Sequence, residues 1–331
     1  MTDTEARFSI TTCLTPDDVG KALRVDVRDG LASTPRSIPP KWFYDSAGSE
    51  LFDEITRLEE YYPTEAEREA LGSAAQEVVS LTGADTVIEL GSGSSDKTTT
   101  LLDAFDRAGQ LQRYIPVDVS ESALRSAAES LVDRYPALVV DGIVGDFDRH
   151  LGEVPSGNGG GRRLLIFLGG TIGNYPPAPR RDLLAGIAAT LEPGDHLLLG
   201  TDLVKDPARL VTAYDDPSGV TAAFNRNVLS VMNRELGSDF DLERFEHVAR
   251  WDSGNEWIEM RLRSTSDHCV SIPELGTSYE IGAGEEILTE ISAKFRPEGI
   301  RAELAAAGFD VVRSWTDDAG DFAITLATLT G

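Results

Sequence analysis

The segment TVIELGSGSSDKT, residues 86–98, carries an apolar run through Glu89 to Leu90 and then bends through Gly91 and Gly93. Glycines after a strand let the backbone approach a ligand closely. Two phosphate-binding patterns nearly fit the bend. The phosphate loop G-x-x-x-x-G-K-[ST] and the dinucleotide pattern G-x-G-x-x-G both require glycine at position 96. Asp96 stands there instead, a carboxylate where phosphate oxygens would lie. Both phosphate readings lose, and the acidic Glu89 favours a cationic ligand. S-adenosylmethionine, with an ammonium, a sulfonium and no phosphate, has that chemistry.

Two further strand ends extend the pattern. Asp118 closes RYIPVDV, where an acidic side chain can accept from both ribose hydroxyls. In GDF, residues 145–147, Asp146 is placed to accept from the adenine amine and Phe147 to stack on the ring. Lys97 is placed to bind the methionine carboxylate at a helix N-terminus. Taken singly, a G-x-G is a common turn, Asp118 a helix cap and Lys97 a solvated lysine. Three such strand ends in order along a βαβαβ unit are far more specific.

The elements that must position them read as alternating strands and helices over residues 66–204. TVIEL, RYIPVDV, LVVDGIVGDF, RRLLIFLGG and HLLLGTDL are short apolar runs. Between them lie helical patterns such as SESALRSAAESLVDRY, opened by Ser120 or Ser122. That rhythm predicts an α/β fold with a parallel, doubly wound, Rossmann-like sheet. PEGIRAELAAAGFDVVRSWTDDAGDFAITLATL predicts a helix and a closing hairpin that completes the sheet. Residues 10–65, with the proline-rich PRSIPPKWFYD, and residues 205–294 break the rhythm and predict a second domain. The core is thus expected over 66–204 plus 295–331, and the second domain over 10–65 plus 205–294. The patch PSGNGGGRR reads as a surface loop.

Bulk composition narrows the partners. The 331 residues carry 30 Lys and Arg against 56 Asp and Glu, a formal charge of −26. Such a surface repels nucleic acid and anionic membranes, which leaves a small molecule. Cys13 and Cys269 lack metal-ligand spacing, and the four histidines form no HxH or HExxH pattern, so no metal site is expected. The polar, acidic start and the lack of a spanning run predict a cytoplasmic protein.

The stretches PPKWFYDSAGSELFDEITRLEEYYPTEAE, IELGSGSSDKT, FLGGTIGNYPP, LLLGTDLVKD, AYDDPSGVTAAFNRNVL and GEEILTEISAKFRPE together resemble the histidine-specific methyltransferases of ergothioneine biosynthesis. The resemblance runs from about residue 15 to the C-terminus. It implies a class I S-adenosylmethionine-dependent methyltransferase core joined to a substrate-binding domain. The implied activity is trimethylation of the α-amine of L-histidine to hercynine by a monomeric enzyme. By resemblance, Tyr44, Gly91, Lys97, Asp118, Asp146 and Phe147 line the cofactor site, and Tyr61, Asn174, Tyr214, Glu290 and Ser292 hold the histidine. Gly170 departs from the serine expected in close relatives.

Those residue types suit the substrate. In an extended TEIS, Glu290 and Ser292 share one face while Ile291 points to the core. A neutral imidazole has one N–H and one acceptor nitrogen, so a carboxylate, a hydroxyl and Tyr61 can recognise it. Asn174, expected at the end of the fourth strand in the switch-point crevice, and Tyr214 suit the substrate carboxylate. Competing readings are the same fold acting on another free amino acid, such as tryptophan, and a non-catalytic nucleotide-binding module. Replacing Glu290 would separate the first, and calorimetry with S-adenosylhomocysteine and histidine the second.

Overall fold

The computed structural model describes residues 7–93, 95, 97–157 and 161–331. Asp96, on which the reading of the glycine bend turned, lies outside the described residues, as do residues 158–160 of the glycine-rich patch. The chain divides into two compact units. One contains the residues up to Thr15 with Glu65–Leu203 and Phe295–Gly331, and the other contains Pro16–Thr64 with Val204–Lys294. Residues 10–15 therefore fall in the first unit and not, as expected, with the second. Their strand, Phe8–Thr12, pairs in parallel register with Val139–Val144, and that pairing decides the assignment.

The first unit is built on one eight-stranded sheet. Its spatial order is Phe8–Thr12, Val139–Val144, Arg113–Asp118, Thr86–Leu90, Arg163–Phe167, His196–Asp202, Phe322–Leu329 and Phe309–Thr316. The first six run parallel, and the closing hairpin joins antiparallel to His196–Asp202. All five residues of Arg163–Phe167 and all seven of His196–Asp202 are buried, the continuous burial of strands in a sheet covered on both faces. Helix Glu121–Arg134 starts where the Ser120 hydroxyl accepts from Ala123 N at 3.3 Å. It buries Leu124, Ala127, Ala128, Leu131 and Val132, the i, i+3, i+4 stripe of an amphipathic helix. Strand order reverses at Thr86–Leu90, whose neighbours in the sheet are Arg113–Asp118 and Arg163–Phe167. Ligands of open α/β sheets bind beyond the carboxyl ends at such a reversal.

The second unit has a four-stranded sheet in the order Arg36–Ser37, Glu286–Ala293, Trp257–Ser264 and Phe245–Asp252. A two-stranded ribbon, His268–Ile272 with Thr277–Ile281, accompanies it. Helix Val220–Leu236 buries Phe224, Val228, Leu229 and Met232 in a core shared with Phe43, Ile258 and Met260. Its first turn is fixed by Asp216, whose carboxylate accepts from Val220 N and Thr221 N at 3.1 and 2.7 Å. Cys13 and Cys269 are free thiols. Among the described residues, no helix is long and apolar enough to cross a membrane.

Candidate active site

In the first unit the bend after Thr86–Leu90 is left-handed at Gly91 and Gly93, with φ of 68° and 51°. A Cβ on Gly91 would meet only the Phe147 ring, at 3.6 Å. Gly91 therefore serves the left-handed turn and a close approach beneath that ring. Asp118 ends its strand and accepts from Gly93 N and Ser120 N, one oxygen each, at 2.9 Å. A carboxylate oxygen has two lone pairs, so each keeps one, the capacity needed for a ribose diol. Asp146 caps the short helix Phe147–His150 by accepting from Asp148 N at 3.0 Å. The Phe147 ring is set edge-on to Phe167, with centroids 5.5 Å apart.

Glu89 departs from its expected role. It is 5 % exposed, and its oxygens accept from Thr98 Oγ1 and Tyr114 Oη. Burial pushes the carboxyl up to about 7, against the pull of those hydroxyls and of the Lys97 charge. The side chain ties the bend to the neighbouring strand and does not face a cationic ligand as a free carboxylate. Tyr114 also takes Ser95 Oγ at 2.9 Å, and Ser95 itself is left-handed at φ 59°. Lys97 lies two residues before the helix that begins at Thr99, and its ammonium donates to Glu67 Oε2 at 2.8 Å.

Asn174 lies beyond the strand expected to end on it. Arg163–Phe167 stops earlier, Gly169 and Gly170 turn left-handed at φ 77° and 65°, and Thr171–Asn174 is a 3-10 turn. A Cβ on Gly170 would make only ordinary contact with Phe322, at 3.6 Å. Backbone conformation, at about 1–2 kcal/mol for a side chain in this region, explains glycine where serine was expected.

Tyr44, Tyr61, Tyr214, Glu290 and Ser292 belong to the second unit. Tyr44 follows the 3-10 turn Pro40–Phe43 and precedes Asp45, which caps helix Ser46–Ile55 by accepting from Gly48 N at 2.8 Å. Asn227 donates to Asp45 Oδ1 at 2.7 Å and to Phe43 O at 3.1 Å, so both neighbours of Tyr44 are pinned. The Tyr44 ring stands edge-on to Phe52 and Phe224, each 5.5 Å away. Phe52 continues to Tyr61 at 6.3 Å, and Tyr61 to Tyr214 at 6.0 Å. Tyr214 Oη lies 2.7 Å from Ser292 Oγ, and Lys294 Nζ donates to both at 2.9 Å.

Glu290 pairs with Met260 and Ser292 with Ile258 across the sheet, just past a register shift between Leu288 and Glu290. Thr289, at that shift, donates to Asn225 Oδ1 at 2.6 Å. Glu290 is half-buried by surface area, yet burial pushes its carboxyl up to about 7, with the Lys294 charge opposing. Tyr44 keeps 43 % exposure as a residue, yet burial around its hydroxyl, and then the Glu290 charge, hold the phenol above its usual value.

The structure thus gathers Gly91, Asp118, Asp146 and Phe147 in the first unit, with Lys97 bound to Glu67. Tyr44, assigned to the cofactor, falls in the second unit, and Asn174, assigned to the substrate, falls in the first. Sequence reasoning missed Glu67 and Lys294. Glu67 also accepts from Gly169 N at 2.6 Å, a contact no local pattern in PTEAE announces. Lys294 had a signal, since Glu290, Ser292 and Lys294 continue one two-residue period.

A left-handed glycine bend tied to the Asp118 carboxylate, beyond the strand ends at the reversal of a doubly wound sheet, is the frame of a class I S-adenosylmethionine-dependent methyltransferase. Its family is narrower. The chain belongs to the histidine-specific, S-adenosylmethionine-dependent methyltransferases, whose family model matches residues 23–329. It is 55 % identical over 320 residues to the histidine N-alpha-methyltransferase of Mycolicibacterium smegmatis, covering 97 % of this chain and 99 % of that one. The protein of the same name from Mycobacterium tuberculosis is 55 % identical over 321 residues, with the same coverage. Ergothioneine biosynthesis protein 1 of Neurospora crassa is 31 % identical over 288 residues, 85 % of this chain and 32 % of that longer one.

Proposed function

We propose that this protein methylates the α-amine of L-histidine three times, using S-adenosylmethionine, to give hercynine, the first step of ergothioneine biosynthesis. The observation that carries the reading is the Glu290 carboxyl beside the Ser292–Tyr214 hydroxyl pair, next to the aromatic series from Tyr44 to Tyr214. It is a recognition surface for a polar heterocycle, and the 55 % identical relatives carry the histidine methyltransferase name.

S-adenosylmethionine supplies a sulfonium methyl that is already a good electrophile. The chain has to bind, align and desolvate the reactants. In this reading Asp118 accepts from the ribose hydroxyls, Asp146 from the adenine amine, Phe147 stacks on the base, and Gly91 brings backbone close. Lys97 and Tyr44 complete the cofactor residues. Glu290 takes the imidazole N–H, Ser292 faces the ring and Tyr61 serves the other nitrogen. Tyr214 and Asn174 hold the substrate carboxylate and amine. The amine reacts as the free base after losing its proton to water. Tyr44 and Phe52 present aromatic faces to the trimethylated cation, and the series stops at three because no lone pair remains. We assign the protein to the cytoplasm as a monomer, in keeping with its free thiols.

Mass spectrometry of histidine incubated with S-adenosylmethionine and the protein tests this. Gains of one, two and three methyl groups on histidine, with tryptophan untouched, are expected. Methylation of tryptophan instead, or of neither, refutes the assignment.

A further inference from the structure

Strand Glu286–Ala293 breaks its own two-residue alternation just before Glu290. Leu288 opposes Arg261, whereas Glu290 opposes Met260, the immediate neighbour of Arg261. Thr289 has no partner in that register and is the extra residue of a bulge. Directly opposed residues project from the same face of a sheet. An unbulged strand would therefore set Glu290 against Glu259, on the face of Arg261, with two carboxylates facing each other. The bulge turns Glu290 to the other face, beside Met260, and Ser292 follows it opposite Ile258. That face packs on helix Val220–Leu236, with Ile258 and Met260 in one core with Phe224. The Glu290 charge acts there too, on Tyr44, whose ring meets Phe224.

What holds the bulge is a single amide. Asn225 comes from that helix and is fully buried, and Thr289 is 1 % exposed. The Asn225 amide nitrogen donates to Arg261 O at 3.1 Å and lies 2.8 Å from His247 Nδ1. A carbonyl only accepts, so the nitrogen must face Arg261 and the oxygen must face Thr289. Thr289 Oγ1 donates to that oxygen at 2.6 Å and shares its proton with Met260 O at 2.9 Å. One side chain thus spans both strands at the point where their register shifts. His247 Nδ1 is the acceptor for the second amide N–H, so its ring proton sits on Nε2 and is donated to Tyr214 O at 2.8 Å.

We propose that Asn225 and Thr289 are positioning residues for histidine recognition: their hydrogen bond holds the bulge that turns the Glu290 carboxylate to the face it shares with Ser292. The inference rests on the histidine reading above. Neither residue needs to touch the substrate, because both act through the direction of Glu290.

Thr289→Val keeps the shape and removes the hydroxyl, and Asn225→Leu keeps the bulk and removes the amide. Hydrogen bonds to charged groups are the strong ones, so a misdirected Glu290 should raise the histidine KM about tenfold or more in each variant. Affinity for S-adenosylhomocysteine, measured by calorimetry, should stay within about twofold. Thr289→Ser restores the hydroxyl and should bring KM back to within about threefold of the wild type. A double-mutant cycle separates positioning from general loosening. Once Glu290→Gln has removed the charge, adding Thr289→Val should lower kcat/KM by about threefold or less. A wild-type KM in Thr289→Val or Asn225→Leu overturns the proposal. So does a Thr289→Val effect of equal size with and without Glu290→Gln, or a Thr289→Ser variant as impaired as Thr289→Val. If Thr289→Val or Asn225→Leu does not fold, Thr289→Ala, which leaves room for water at the Asn225 oxygen, decides in its place. A wild-type protein that leaves histidine unmethylated overturns the functional reading and this inference with it. Methylation by the wild type with unaltered variants overturns this inference only.

Discussion

Lys97 and Glu67 form an ion pair, Nζ to Oε2 at 2.8 Å, that joins the glycine bend to the helix Pro63–Thr82. The Glu67 side chain is 1 % exposed, and its second oxygen holds Gly169 N at 2.6 Å. One buried carboxylate thus fixes both the segment carrying Lys97 and the left-handed turn leading to Asn174. Lys97 keeps 32 % side-chain exposure, so screening weakens the ionic part, and the backbone hydrogen bond matters as much.

Glu67→Ala leaves the Gly169 N–H without its acceptor and frees Lys97. A loss of about 1–3 kcal/mol in unfolding free energy is expected, the range for an orphaned polar partner. Affinity for S-adenosylmethionine should fall with it. Urea unfolding and calorimetry measure the two. Unchanged stability together with unchanged affinity would show that the pair holds nothing in place.

Glu290→Gln keeps the shape of the side chain and removes its charge. Hydrogen bonds to charged groups contribute about 1.5–3 kcal/mol, so kcat/KM for histidine should drop about 10- to 100-fold while S-adenosylhomocysteine still binds. The same carboxyl sets a pH dependence. It lies at about 7 in the ligand-free protein, so it is neutral below that value and ionised above it. kcat/KM, which reports free-enzyme ionisations, should therefore fall as pH drops through about 7. A flat profile across neutrality would contradict the role given to Glu290.

Glu89 makes a different prediction, about stability. Its folded carboxyl sits at about 7, raised by burial from an ordinary 4.5. Between those values the folded chain holds more proton than the unfolded one, so stability falls as pH rises through the window. Glu89→Gln, which can still bond Thr98 and Tyr114, should remove that slope. The loss of unfolding free energy from about pH 5 to pH 8 should be smaller in the variant than in the wild type. Equal slopes would mean that the carboxyl is not desolvated in solution.

Tyr44 keeps 43 % exposure beside Phe52 and Phe224, unusual for an aromatic at the edge of a core. Tyr44→Leu preserves bulk and removes the π face. Cation–π attraction is about 0.5–2 kcal/mol, so inhibition by the trimethylated product should weaken by about 2- to 30-fold. Partly methylated histidine should also accumulate in time courses followed by mass spectrometry. An unchanged inhibition constant would leave Tyr44 without a part in binding the cation.

The sequence by itself determined the alternating strands and helices, the bend at Gly91 and Gly93, and the acidic end at Asp118, because each is written in local periodicity or in a residue type that only a few backbone states accept. It also carried Glu290 and Ser292, whose two-residue spacing fixes a shared face in any extended segment. It did not show that Glu89 turns inward to Thr98 and Tyr114, or that Lys97 pairs with Glu67, since those partners come from other elements and desolvation depends on everything packed around a carboxyl. Nor did it place Phe8–Thr12 in the first sheet, because a short edge strand is recruited by the register of its neighbour, Val139–Val144. Lys294 stands between the two cases: its spacing was legible, but only the fold brought Tyr214 within 2.9 Å of its ammonium, 80 residues away along the chain.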